Sequence, residues 1–597
     1  MKIDEKTMIP EILIEYPQTR SVFDRYGLKG CGGQHGPAET LGFFSRAHGV
    51  DLDSLIKELN ETLNKGISLP FESFQTEGVA LEDRIYRRFF ITAIIATLTA
   101  GATWGAYLLW KIAIAHSFTS LTVHEVNAHG HAQIFGWVAL FIMGFAYQAF
   151  PRFKHSSLWR PDIANISFTL MLSGIIASVL GGILWQYPWG LIIGSAGSAA
   201  EVTAVILFAT IIIRTFGIKL SKLAPFEFYI LGSTFWFFIA TVFSGIHFYL
   251  TTSAGTTEAL IQQVATWQLP LRDIQIHGFA MLMVLGVSQR FLPGMYNFPE
   301  TSSRKSIIVF SVLNLVVISE VISFVVFRLT GITYAAFALE GAAVLMFATV
   351  LWLIIPWNLW KPVPEGDRGL KFIRAAYLWL VIALALVVVM PFYNRIIGVE
   401  FSHAYFGAAR HAITVGFITM MILGVASKVV PTLSGIDVRQ LNPLLATFIL
   451  VNLGCTLRVT SQILSDHFSG AFKVIGFSGV LEVIGITIWG IHLVRLMFYK
   501  QRAGGKTETL TGKVISGQIS PDATVADVLA AVPGALDIFL DAGFTPLRNP
   551  LMGQTLARTI TVGTACRHLG IDQTEFLQKL NDLGSTINNK AKKGAIE

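Results

Sequence analysis

Six histidines, His129, His131, His247, His277, His403 and His411, fall near one end of apolar runs long enough to cross a membrane. Metal-ligating or ionisable side chains are costly inside a bilayer, so imidazoles gathered at one depth point to a function. Neutral imidazole is the usual axial ligand of haem iron and also a good copper ligand. His129 and His131 are two residues apart, which sets their rings about 200° apart on a helix. One of them at most can face a given cofactor. His411 lies on a different apolar run, so it can supply a second axial nitrogen from the opposite face of a low-spin haem. The bland alternative is a set of capping or interfacial histidines bonded to water, and matched depth across four runs argues against it.

His247, His277 and His403 are candidates for a second site, holding copper or a second haem. His403 and His411 stand about two turns apart and share a helix face, so they can line one cavity without sharing one iron. Arg410 and Arg458 lie in outer-half positions that could meet haem propionates. Glu201, Asp273, Glu320, Glu340, Glu400 and Glu482 fall in or near the apolar runs and could relay protons, although pairing with arginine or backbone donors explains any single one as well. The cysteines, Cys31, Cys455 and Cys566, are far apart and form no CxxC, which excludes a disulfide framework and a thiolate zinc site. The absence of CxxCH excludes a c-type haem, and b type is the expectation for an iron porphyrin here. Cys31 and His35 in GLKGCGGQHG are too few for a metal site.

The elements that must position these residues are membrane helices. The 597 residues are 53% hydrophobic and only 14% charged, against about 25% charge in a soluble protein. Twelve spans are predicted, at about 88–110, 128–150, 163–186, 190–213, 227–250, 273–293, 306–327, 333–357, 372–393, 402–430, 441–464 and 472–498. Connections on one side hold Lys111, Arg272, Arg328, Arg395 and Lys473; those on the other hold several times as many basic residues, Arg84, Arg152 and Lys154 among them. The positive-inside rule assigns the basic side, and with it both polar termini, to the cytoplasm of a bacterial-type inner membrane. The histidines then lie toward the outer face. The net charge of +7 reflects this asymmetry and not nucleic-acid binding. MKIDEKTMIPEILIEYPQ contains no apolar signal stretch, so no cleaved leader is expected.

Two kinds of repeat are visible. IPEILIEYPQTRSVFDRYG (Ile9–Gly27) matches VADVLAAVPGALDIFLDAG (Val525–Gly543), with Pro17 and Gly27 spaced as Pro533 and Gly543 are. HGVDLDSLIKELN (His48–Asn60) likewise matches LGIDQTEFLQKLN (Leu569–Asn581). Each terminus reads as a small helical domain in which Gly27 or Gly543 closes a helix. The expected organisation is a helical domain at 1–66, the membrane domain at 84–500 and a related helical domain at 520–590, joined by linkers at Ile67–Asp83 and Gln501–Ser520. Within the membrane part, GFAYQAFP (Gly144–Pro151), GVSQRFLP (Gly286–Pro293) and GVASKVVP (Gly424–Pro431) end three spans alike. His131 and His411 each stand twenty residues before their proline, a rise of about 30 Å.

The stretches RHAITVGFITMMILGVASKVVP and HGHAQIFGWVALFIMGFAYQAFP resemble those of the NnrS family. That resemblance implies a twelve-span haem- and copper-containing membrane protein linked to nitric oxide metabolism. The same stretches are similar to the main subunit of haem–copper oxidases and nitric oxide reductases, whose low-spin haem is held by spans two and ten. Carried over, His129 or His131 matches the span-two ligand and His411 the span-ten ligand. Two departures weaken a full oxidase centre: Ala409 stands where the high-spin haem ligand would be, and span seven has no histidine. The YGLKGCGG segment resembles the leading domain of ScdA-type iron–sulfur repair proteins, and GFTPLRNP with LARTIT resembles the related short domain.

The expectation is therefore an all-α, polytopic membrane protein of about twelve transmembrane helices with a small soluble helical domain at each end. The expected role is handling nitric oxide or another diatomic by binding, sensing or reduction, with quinol or a cytochrome as electron donor. The alternatives are an oxidase-type respiratory subunit coupling electrons to protons, and a non-haem transporter built on repeats and midplane carboxylates.

Overall fold

The computed structural model describes residues 3–28, 31–32, 36–64, 81–217, 223–363, 367–498, 519–521, 523–532, 534–544, 547, 557 and 560–593. The expected linkers at Ile67–Asp83 and Gln501–Ser520 lie almost wholly outside these residues, as does His35. Among the described residues all regular structure is helical, and the only strand-like pairings are two isolated bridges, Met8 with Thr40 and Thr524 with Thr561. The chain divides into two compact units, Met1–Tyr499 and Lys500–Glu597.

The membrane part contains twelve helices, α1 to α12. Eleven are long and apolar enough to cross a membrane: α1 Arg84–Ala115, α2 Val123–Phe153, α3 Pro161–Ile183, α4 Pro188–Phe216, α5 Pro225–Thr252, α7 Ser303–Thr330, α8 Thr333–Trp357, α9 Leu370–Ile397, α10 His403–Leu433, α11 Leu445–Leu464 and α12 Ala471–Met497. The sixth, α6, runs through Thr257–Asp273, Ile274–Met281 and Leu282–Tyr296. Gln275, His277, Gln289 and Arg290 dilute its apolar character. It begins well before the expected boundary, so Arg272 lies inside the helix and not in a connection. Proline opens α3, α4 and α5, where its missing N–H costs nothing. Gly217, Gly331 and Gly398 close α4, α7 and α9 in the left-handed conformation.

Burial separates the helices into two classes. Within their most apolar windows α2 is 89% and α10 78% buried, against 33–50% for the other nine spans, so α2 and α10 are interior. The middle stretch of α6, Ile274–Met281, is buried at every residue and belongs with them. These three are the helices whose ends the sequence repeat marked. Each is wound as a wider π-helix over one stretch: Ala132–Ala139 in α2, Ile274–Met281 in α6 and Ala412–Thr419 in α10. The stretches start at equivalent points, directly after His131, Asp273 and His411. They also meet: α6 packs against both others there, and Trp137 Nε1 of α2 donates to Thr419 Oγ1 of α10 at 3.1 Å.

Glycine lets the surrounding helices close on these stretches. A Cβ on Gly278 would lie 2.8 Å from the Trp236 ring of α5, and one on Gly416 would lie 2.4 Å from the Trp379 ring of α9. The two indoles are held alike, Trp236 Nε1 on Asn314 of α7 at 2.8 Å and Trp379 Nε1 on Asn452 of α11 at 3.1 Å. Helices α5–α7 and α9–α11 are thus copies of one arrangement.

The N-terminal domain packs Ile9–Glu15, Arg20–Arg25, Leu41–His48 and Leu52–Asn64 around Ile12, Phe23, Leu41, Phe44, Leu55 and Leu59. Gly27 takes φ +92° just after a helix, as its place in the repeat predicts. The domain sits on the proline-marked ends of all three interior helices. His155, beyond α2, approaches the His48 carbonyl through Nε2 at 2.9 Å. Arg290 of α6 donates to the Ala47 carbonyl at 3.1 Å. The Gly32 amide donates to the Leu433 carbonyl of α10 at 3.3 Å.

The C-terminal unit has its own core of Val525, Val528, Phe539, Val562, Phe576 and Leu580. Gly543 at φ +96° and Gly570 at +66° answer Gly27 at +92° and Gly49 at +67°, and each domain carries one isolated bridge. The duplication read from sequence therefore extends to backbone conformation.

Candidate functional site

His129 is set by α1 and α2 together. Its Nδ1 lies 3.1 Å from the carbonyl oxygen of Gly101, which belongs to a π-helical turn of α1, Thr97–Gly101. A carbonyl only accepts, so Nδ1 carries the proton and Nε2 keeps its lone pair. The ring lies against Gly105 so closely that a Cβ there would come within 2.5 Å of it. His411 of α10 is held the same way, with Nδ1 2.9 Å from the Gly407 carbonyl. Carbonyls that fix the tautomer of an imidazole in this manner are the usual support of a metal-binding histidine. The two helices meet eight residues beyond each ring, where Trp137 Nε1 of α2 donates to Thr419 Oγ1 of α10.

Arg458 of α11 is 4% exposed, and its Nε and one terminal nitrogen have no hydrogen-bond partner. Arg410 is directed elsewhere. Its Nη2 pairs with Asp273 of α6, the residue standing where α2 and α10 have His131 and His411, and its Nη1 is unpartnered. His131 points away from His129, as two-residue spacing requires. Its Nε2 lies 2.7 Å from the fully buried Glu201 of α4.

The second set does not form one site. His277 turns toward α7, where Glu320 meets its Nδ1 at 3.0 Å. His403 starts α10, exposed beside the Phe401 ring. His247 faces a cavity of about 40 Å³ lined also by His131, Arg272 and His124, a residue the sequence reading passed over because it sits in the first turn of α2. Among the described residues no three His, Cys, Asp or Glu side chains stand close enough to hold a metal ion by themselves. Of the acidic residues, Glu201, Asp273 and Glu320 are paired as described, Glu482 of α12 is buried near Arg458, and Glu340 and Glu400 are exposed.

Comparison with known families matches residues 519–577 to a domain of unknown function, DUF1858. This agrees with the resemblance noted for that end. No curated protein matches the chain. Residues 84–501, the whole of the twelve-helix part, match the family described as NnrS protein. With interior helices α2 and α10 carrying the histidines that the resemblance singled out, the chain belongs to the NnrS family.

Proposed function

We propose that the membrane part holds a b-type haem between His129 of α2 and His411 of α10, and that the protein handles nitric oxide. The observation that carries this reading is the matched state of the two rings: each commits Nδ1 to a backbone carbonyl and leaves Nε2 without a protein partner. Bound there, haem would supply a redox-active iron, and a diatomic would reach it only by displacing one of the two imidazoles. Gly105 leaves room for the His129 ring. Arg458 presents buried donors that lack an acceptor, as a propionate partner should, and Arg410 keeps one nitrogen free after engaging Asp273. His131 is turned to Glu201, and the pair can hold a proton between imidazole and carboxylate inside the membrane. Membership of the NnrS family supplies the link to nitric oxide. The location that fits is a bacterial-type inner membrane, with both termini cytoplasmic and a quinol or cytochrome as electron donor.

The test is optical. Purified full-length protein should show one low-spin haem per chain, and His411→Ala and His129→Ala should each lose or convert that signal. Added nitric oxide should perturb the spectrum. A colourless, folded preparation, or an unchanged spectrum in His411→Ala, overturns the haem assignment. A spectrum indifferent to nitric oxide removes the diatomic from the reading and leaves electron transfer.

A further inference from the structure

The small cavity lined by α2, α3, α4, α5 and α6 goes beyond the haem reading. Its wall carries several polar groups without partners and one guanidinium. His124 and His247 are each 4% exposed, and their Nε2 atoms have no hydrogen-bond partner. Ser178 Oγ is buried and equally unpartnered. Arg272 completes the wall, seated against Gly130 and bonded only to neutral amides, Asn127 Oδ1 at 3.2 Å and Gln275 Oε1 at 2.8 Å. Among the described residues no carboxylate pairs with it, and the adjacent Asp273 is already met by Arg410. Glu201, which meets the cavity-lining His131, is engaged by that ring. A half-buried guanidinium in this setting lacks a counter-charge, which is unfavourable.

We propose that this cavity binds a small inorganic monoanion of halide to nitrite size, held by Arg272 with His124, His247 and Ser178. The volume of about 40 Å³ suits it, with space for roughly three water-sized atoms. Either ring nitrogen of a neutral histidine can carry the proton, so both histidines can donate to the anion without becoming charged.

The probes are bromide and nitrite, titrated calorimetrically into the full-length protein in halide-free buffer. One saturable site per chain is expected, weakened at least tenfold in Arg272→Gln and largely kept in Arg272→Lys. A crystal grown in bromide should place its anomalous peak between Arg272, His124 and His247. His247→Phe, which keeps the charge and fills the space, should abolish binding, and this variant decides the matter if Arg272→Gln does not fold. Absence of saturable binding, equal affinity in Arg272→Gln or His247→Phe, or a bromide peak elsewhere overturns the proposal. So does an Arg272→Gln protein that loses no anion site but shifts the haem spectrum, because the counter-charge is then a haem propionate. Loss of the anion site with an intact haem spectrum, or its persistence in colourless protein, separates this proposal from the haem reading.

Discussion

At the scale of single residues, the two neighbouring histidines of α2 do different work. His129 is backed by a carbonyl and keeps a free Nε2; His131 has given its Nε2 to Glu201. Replacing His131 by Ala should therefore leave the low-spin haem spectrum in place, whereas His129→Ala should remove it; the opposite pattern would reassign the ligand. Gly105→Ala is the finer probe, since its Cβ would come within 2.5 Å of the His129 ring and must displace it. Haem content or its spectrum should change in that variant, although the substituted residue offers no ligand. Histidine positions, their two-residue spacing and the candidate in α10 were all legible in the sequence. The choice between His129 and His131 was not, because it depends on how α2 is rotated against α1 and α4. His124 and Arg272 were missed as partners for a related reason: the cavity they line is made by helices remote in sequence. Only Asp273 had a local signal, its position in the third copy of the repeat, and it went unread because the residue type changes there.

At the scale of elements, the Gly-to-Pro repeat marked the three interior helices, but not that they are interior or π-wound. A π-turn shows no periodicity of its own in an apolar run, and such turns often occur at functional sites. Here each follows the residue of interest directly, so the extra residue in the turn helps set how His131, Asp273 and His411 face their neighbours. The tight glycine within each stretch gives a test of the arrangement. In Gly416→Ala the new Cβ would meet the Trp379 side chain at 2.4–2.7 Å, and Trp379 is tethered to Asn452, so the strain cannot relax cheaply. Overpacking of this kind costs about 1–3 kcal/mol. Thermal unfolding in detergent should show the loss, and Trp379→Leu in the same chain should recover part of it. Equal melting temperatures for wild type and Gly416→Ala would mean that α9 does not approach α10 this closely.

At the scale of the molecule, the N-terminal domain closes one end of the membrane bundle by touching α2, α6 and α10 together, and His48 lies at the centre of that contact. Its ring stacks on Phe44 at 4.2 Å, and a Cβ on Gly27 would reach its Nδ1 at 2.9 Å. Burial, then the nearby charges of His155, Arg290 and Arg152, push its pKa down to about 3. An undocked or unfolded domain would return the imidazole to about 6.5. The released form thus binds a proton that the docked form refuses, so docking is stable above about pH 6.5 and weakens as the pH falls below it. One pH unit below that point the cost is about 1.4 kcal/mol. Hydrogen exchange of the amides around Ala47 and Gly49 should accelerate between pH 7.5 and 5.5, beyond the intrinsic change in exchange rate. His48→Gln, which cannot take up the proton, should flatten that dependence. If the variant keeps the full acid response, protonation elsewhere drives release, and His48 is only a packing residue in the seam between the leading domain and the helices beneath it.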